Sequence, residues 1–192
     1  MSIYVSMDSK TCILVSGFGA PGLEWGLSPL KHLLHFHDWD VHVFRSGVGH
    51  PDDRAKRLAD FVNDLEGPVS AVGHSMGGVI CEALDVLTGK LDKVVTLGTP
   101  HGGVPLLRLL PFNLGGLREL RENSAYLKEL RAGAHSAEYL CIAGGHDPVV
   151  TRESAWSIKH ALTALVPSGH AELFARKDVA RLAGQFFGLV GG

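Results

Sequence analysis

Neither sign of charge dominates this chain: 18 Lys and Arg face 20 Asp and Glu in 192 residues, a formal net charge of −2. That balance argues against nucleic acid or an acidic membrane as the main partner. Long hydrophobic runs are missing too. No apolar stretch approaches the roughly 20 residues that a membrane helix needs, so no transmembrane segment is expected. From Met1 to Lys10 there is no charged start followed by an apolar run, so no secretory signal is expected. Cysteine is scarce. Cys12, Cys81 and Cys141 each lie in an apolar segment, without C-x-x-C spacing. An odd number of this kind gives no disulfide framework and points to buried reduced thiols in a cytoplasmic setting. Internal repeats, low-complexity tracts and linkers are also absent, so residues 1–192 are read as one domain, long enough for a single core.

What is present centres on Val69-Ser70-Ala71-Val72-Gly73-His74-Ser75-Met76-Gly77-Gly78. A short apolar run, bounded by Gly67 and Pro68, leads into Gly-x-Ser-x-Gly. Met76, Val79, Ile80, Ala83, Leu84 and Leu87 then recur at helical spacing, with Glu82 and Asp85 off that face. The pattern predicts strand, sharp turn and helix, with Ser75 raised at the apex as a nucleophile elbow. Glycine on either side lets strand and helix pass closely. The helix start leaves free amide N–H groups beside Ser75, where negative charge would develop.

Strands are expected at Thr11–Val15, Val41–Phe44, Val69–Val72, Lys93–Gly98, Glu138–Ala143 and Ala161–Val166, with a short edge strand at Ile3–Val5. Helices are expected over 27–36, from Pro51 to Gly67, from Met76 to Gly89 and over 178–189. This alternation is the signature of an α/β fold with a mostly parallel sheet covered on both faces. Residues 104–133 interrupt it. Val104 to Leu114 is strongly apolar with two prolines, and Leu117, Leu120, Leu127 and Leu130 suggest one helix or two short ones. The stretch reads as a helical excursion packed on the core, as a small cap or lid over the site, or as both. It also offers a transient lipid or membrane contact through 104–114.

A serine hydroxyl needs a base, and the base needs an orienting acid. His170, in a Ser-Gly-His turn after the last strand, is the expected base, with His160 its nearest rival. His74 adjoins Ser75 but should point away from it. His32, His35 and His37 match no strong metal-ligand spacing, so no metal is expected. Asp147, just past the strand ending at Ala143, is the expected acid. Backbone N–H groups of Met76 and Phe18 are the expected oxyanion hole. His101, Leu106, Leu107, Leu110 and Val149 are the pocket candidates.

Leu14–Gly19, Gly73–Gly78, Val94–Gly103, Ile142–Val150 and Gly169–His170 together resemble the α/β-hydrolase superfamily, in its order of nucleophile, acid and histidine. Val-Thr-Leu-Gly-Thr-Pro-His-Gly-Gly at 95–103 is similar to the strand after the nucleophile in bacterial triacylglycerol lipases and esterases. The resemblance implies a three-layer α/β-hydrolase-like fold of minimal size with a short helical cap insertion. It implies hydrolysis of a small-molecule or lipid ester through an acyl-enzyme, with no cofactor or metal. Two departures stand out: Ser16-Gly17 replaces the His-Gly pair of many such lipases, and the 104–133 insertion is extra. Thioester hydrolysis, acyl transfer and a non-catalytic binding protein on the same scaffold remain open alternatives.

Overall fold

The computed structural model describes residues 10–20, 25–26, 28–109 and 115–191. Six parallel strands run through it: β1 (Thr11–Val15), β2 (Asp40–Phe44), β3 (Val69–His74), β4 (Leu91–Leu97), β5 (Glu138–Gly144) and β6 (Leu162–Val166), in the order β2-β1-β3-β4-β5-β6. Six helices alternate with them: α1 (Pro29–Phe36), α2 (Pro51–Asn63), α3 (Met76–Thr88), α4 (Ala125–Ala132), the single turn α5 (Arg152–Ala155) and α6 (Lys177–Phe187). The mostly parallel α/β sheet expected from the alternation is the observed fold. The Ile3–Val5 strand lies outside the described residues.

Strand period explains the layers. Alternate side chains of a strand face opposite ways, so each strand feeds two cores. Ile13, Ala71 and Val94 join α2, α3 and α4 on one face, while Cys12, Leu14, Val72 and Val95 join α1 and α6 on the other. All three cysteines are buried and free. Proline at the first position of α1 and of α2 costs no helical hydrogen bond, and left-handed Gly89 and Gly188 end α3 and α6.

The polar positions of α3 are covered as well. Glu82 and Asp85 sit off its apolar face yet are fully buried, because packing surrounds every residue from Met76 to Asp85. Asp85 accepts hydrogen bonds from the Ser136 hydroxyl (2.7 Å), the Tyr139 hydroxyl (2.9 Å) and the amides of Ser136 and Ala137. A buried carboxylate is tolerable when its oxygens are satisfied in this way.

Strand order sets a switch point between β1 and β3. After β1 the chain turns to β2 on one side; after β3 it turns to β4 on the other. Loops that diverge from adjacent strand ends leave a gap between them, where open α/β sheets bind ligands. Gly77 lies where the start of α3 meets the end of β1. A Cβ there would run into the carbonyl oxygens of Val15 and Ser16, which are backbone and do not swing away. Gly77→Ala is therefore expected to destabilise the fold by about 1–3 kcal/mol, the usual cost of overpacking. Denaturant melting checks this; an unchanged midpoint would contradict the packing argument.

The 104–133 excursion holds a 3-10 helix, Pro105–Leu109, then α4. Leu120, Leu127 and Leu130 pack into the core, whereas Leu106 and Leu109 are exposed. Its described part after residue 114 passes beside the first glycine loop: the Gly49 amide donates to the Gly115 carbonyl (2.8 Å), and Gly115 abuts Phe18 and Val48.

Candidate active site

Ser75 stands between β3 and α3 at φ 54° and ψ −125°, a backbone state that non-glycine residues seldom adopt. Its amide donates to the Leu97 carbonyl (2.9 Å), and its carbonyl accepts from the Gly78 amide (3.0 Å). These bonds hold the turn, and Gly73 without a side chain lets α3 cross directly over β3.

His170 Nε2 lies 3.0 Å from Ser75 Oγ, and His170 Nδ1 lies 2.7 Å from Asp147 Oδ2. A carboxylate only accepts, so Nδ1 carries the proton and Nε2 is left to accept from the serine hydroxyl. Asp147 is fixed in turn: its Oδ1 accepts from the amides of Val149 (2.8 Å) and Val150 (2.9 Å). Burial alone would raise the Asp147 carboxyl; the His170 hydrogen bond and those two amides outweigh it and hold the group below its ordinary range. The three residues come from the carboxyl ends of β3, β5 and β6, more than twenty positions apart in sequence at each step.

Two supports of this line carry no signal of their own in the sequence. Gly98, at φ 55°, faces the Asp147–His170 pair: a Cβ there would lie 3.1 Å from Asp147 Oδ2 and 3.2 Å from His170 Nδ1. Any side chain would press on the hydrogen bond between them. The His74 ring packs beside the His170 ring, with centroids 5.0 Å apart. Its Nε2–H donates to the His170 carbonyl (2.9 Å) and steadies that turn.

Phe18 and Met76 flank the serine. A Cβ on Gly17 would lie 3.3 Å from Ser75 Cβ, so Phe18 follows directly at the site. The loop is pinned by Ser46 Oγ donating to the Gly17 carbonyl (2.7 Å) and the Gly19 amide donating to the Gly47 carbonyl (3.1 Å). Among the described residues, the Phe18 and Met76 amides find no backbone acceptor. Of the pocket candidates, Leu106 is 66 % exposed, Val149 is 43 % exposed and Leu107 is partly buried; Leu110 lies outside the described residues.

His101 is a correction. It is 0 % exposed and does not face a pocket. Its Nδ1 sits 2.6 Å from Glu82 Oε2 and its Nε2 3.2 Å from Thr96 Oγ1, so both ring N–H groups have acceptors. Glu82 also accepts from His135 Nε2 (3.2 Å), and the Arg131 guanidinium donates to the His101 carbonyl. Nothing in the spacing of Glu82, His101 and His135 foretells this cluster, because it joins a helix to two separate loops.

Burial, the largest single influence, would lower His101, but the Glu82 charge together with hydrogen bonds to Cys141 and Glu82 outweighs it and pushes the group up to about 9. Burial would raise Glu82, but His101 and His135 hold it down to about 2. His101 therefore contributes stability that is complete below 6.5 and lost as pH rises through about 9. Glu82 contributes stability that is complete above 4.5 and lost as pH falls towards about 2. Melting temperature is expected to fall across the alkaline window, and Glu82→Gln is expected to flatten that fall. The variant should also lose about 3–5 kcal/mol in the acid-side plateau, where it leaves a buried imidazolium unpaired. Parallel alkaline curves for the two proteins would contradict the pairing.

Comparison with solved structures finds the fold again. A lipase from Bacillus licheniformis, in its propeptide form, matches with TM-score 0.76 and 13 % identity over 97 % of this chain. The match takes in 51 % of the lipase, so the chain spans about half of that protein's length. A metagenomic carboxyl esterase matches with TM-score 0.65 and 16 % identity, over 90 % of this chain and 69 % of its own. The esterase domain of a Rhodothermus marinus protein matches with TM-score 0.65 and 19 % identity, over 96 % of this chain and 87 % of its own. No curated protein sequence matches significantly. The family model for alpha/beta hydrolases matches residues 12–139, from the first core strand through the serine turn to the start of β5. With two thirds of its length inside that match, this chain belongs to the alpha/beta hydrolase family.

Proposed function

We propose that the protein is a serine hydrolase that cleaves carboxylic esters through an acyl-enzyme. The observation that carries this reading is the unbroken hydrogen-bonded line from Ser75 Oγ through His170 to Asp147, at 3.0 and 2.7 Å. His170 Nε2 takes the hydroxyl proton as Ser75 attacks the ester carbonyl. Asp147 holds the imidazole in the right tautomer and stabilises the imidazolium. The carbonyl oxygen, now negative, accepts from the amides of Met76 and Phe18, each such donor being worth roughly 3–4 kcal/mol in the transition state. The alcohol departs with the proton from His170. Water then attacks the acyl-enzyme by the same route and frees the acid. Every proton in this route is handled by His170, so the chain's own groups suffice for it.

Exposed Leu106 and Leu109 argue for an apolar acyl group or a lipid surface as the partner of the 104–133 excursion, which then serves as a small cap. The names of the structural neighbours, a lipase, a carboxyl esterase and an esterase domain, agree with ester chemistry. The test is turnover of p-nitrophenyl esters of graded chain length, with acyl-thioesters and competing alcohols in parallel. Faster hydrolysis of oxygen esters is the expected outcome. Preference for thioesters, or for transfer to an alcohol, would redirect the assignment, and no turnover of any of them would end it.

A further inference from the structure

A second cleft opens on the far side of the sheet. It encloses about 660 Å³ beside Glu138 and Leu162, the first residues of β5 and β6. Ser75, Asp147 and His170 follow the opposite strand ends. A strand the length of β5 rises about 3.3 Å per residue, so roughly 20 Å of sheet separates the two sites. The cleft is thus not a branch of the serine site.

Its lining is unusual for this chain. Arg131, His135, Lys159 and His160 all face it, with Glu138 the one acidic side chain among the described lining residues. Asp and Glu outnumber Lys and Arg in the whole protein, 20 to 18, yet here Arg131 and Lys159 face a single Glu, with two of the 11 histidines beside them. Arg131 already donates to the His101 carbonyl, a neutral acceptor that leaves its charge uncompensated. Among the described residues, neither Arg131 nor Lys159 has a carboxylate within 4.0 Å. His135 spends its Nε2 on buried Glu82, at 3.2 Å, so Nδ1 donates elsewhere only when the ring is protonated. Glu82 already balances His101, so a proton on His135 adds net positive charge at this wall. The hydrogen bond to Glu82 favours that proton.

The remaining lining is apolar or aromatic: Tyr139, Ile158, Ala161, Leu162 and Phe186. Tyr139 and Ile158 are buried, whereas Leu162 is 61 % exposed. A bare inorganic anion would leave this surface wet, and an uncharged hydrocarbon would leave the basic groups unanswered. The volume falls in the usual range of small-molecule sites, roughly 300–1,000 Å³.

We propose that the cleft between the 131–139 segment, the 158–162 turn and Phe186 binds an amphipathic organic carboxylate, its head among Arg131, His135, Lys159 and His160 and its apolar body on Ile158, Leu162 and Phe186. The site is independent of the chemistry assigned to Ser75, and its test reads binding alone.

The probe is octanoate, titrated into the full chain while backbone amide correlation spectra are recorded. Saturable shifts are expected at residues 135–139 and 158–162. Lys159→Glu and His160→Glu change exposed side chains, and melting curves verify that each variant folds. Each is expected to weaken octanoate by about tenfold or more, and Lys159→Arg is expected to bind like the parent. Octan-1-ol lacks the charge and inorganic phosphate lacks the apolar body; both should bind at least about tenfold more weakly than octanoate. Shifts confined to the surroundings of Ser75 and Leu106 would overturn the proposal. So would equal affinity for octanol or phosphate, or charge-reversed variants that bind octanoate unchanged.

Discussion

Ser75→Ala is expected to lose about a millionfold in kcat on any ester the protein hydrolyses. On the proposed route the hydroxyl is the only group that bonds to the substrate, and no neighbour can substitute. His170 would remain as a base, but at 3.0 Å from an absent oxygen it has no proton to take. Stability should barely change. Alanine meets the same backbone penalty as serine at φ 54°, and the bonds from the Ser75 amide to Leu97 and from Gly78 to the Ser75 carbonyl are main-chain. Steady-state kinetics with a melting curve on the same sample separate the two readouts. Turnover within about tenfold of the parent, from a folded variant, would remove Ser75 from the chemistry.

Asp147→Asn is the next largest expected effect, about ten-thousandfold in kcat, on the analogy of the serine-protease triad. The substitution is nearly isosteric. Its carbonyl oxygen can still accept from the amides of Val149 and Val150, now 2.8 and 2.9 Å from Oδ1. The amide nitrogen must then face His170 Nδ1, where a carboxylate oxygen stood at 2.7 Å. A donor there turns the imidazole into the tautomer with Nδ1 bare and Nε2 protonated, which cannot accept from Ser75. KM should move far less than kcat, because substrate binding does not use this bond. A variant that kept kcat within about tenfold would mean that Asp147 only braces its loop.

How much of this could be read from the sequence depended on whether the signal was local. The elbow at Ser75 was legible because its causes are adjacent: an apolar strand, two glycines and a helical period. The strands of the sheet were legible for the same reason, each a short apolar run between turn residues. Asp147 and His170 could be proposed because each follows a strand, and a parallel sheet collects strand ends along one edge. Their meeting at hydrogen-bond distance is a property of the folded chain.

What escaped was buried polarity. Glu82 and Asp85 look like the wet side of an amphipathic helix, because sequence period shows one covered face and cannot show a second. The 131–139 segment covers that second face, and it brings His135, Ser136 and Tyr139 to the two carboxylates. His101 differs for a related reason: a histidine in a Pro-His-Gly-Gly turn has the local pattern of a rim residue. It is drawn inward by a carboxylate nineteen positions before it. In the sequence Gly98 is one glycine among 24; only the fold sets it where a Cβ would meet Asp147 and His170.

The central claim is that Ser75 is an activated nucleophile, and a fluorophosphonate probe tests it without any assumption about the substrate. The probe phosphonylates a serine only where a base removes its proton and donors hold the resulting oxyanion. Labelled protein is digested and the adduct located by mass spectrometry. A single adduct on Ser75 is expected, blocked in Ser75→Ala and strongly slowed in His170→Ala; a folded protein that takes up no probe, or takes it up elsewhere with Ser75 untouched, would contradict the claim.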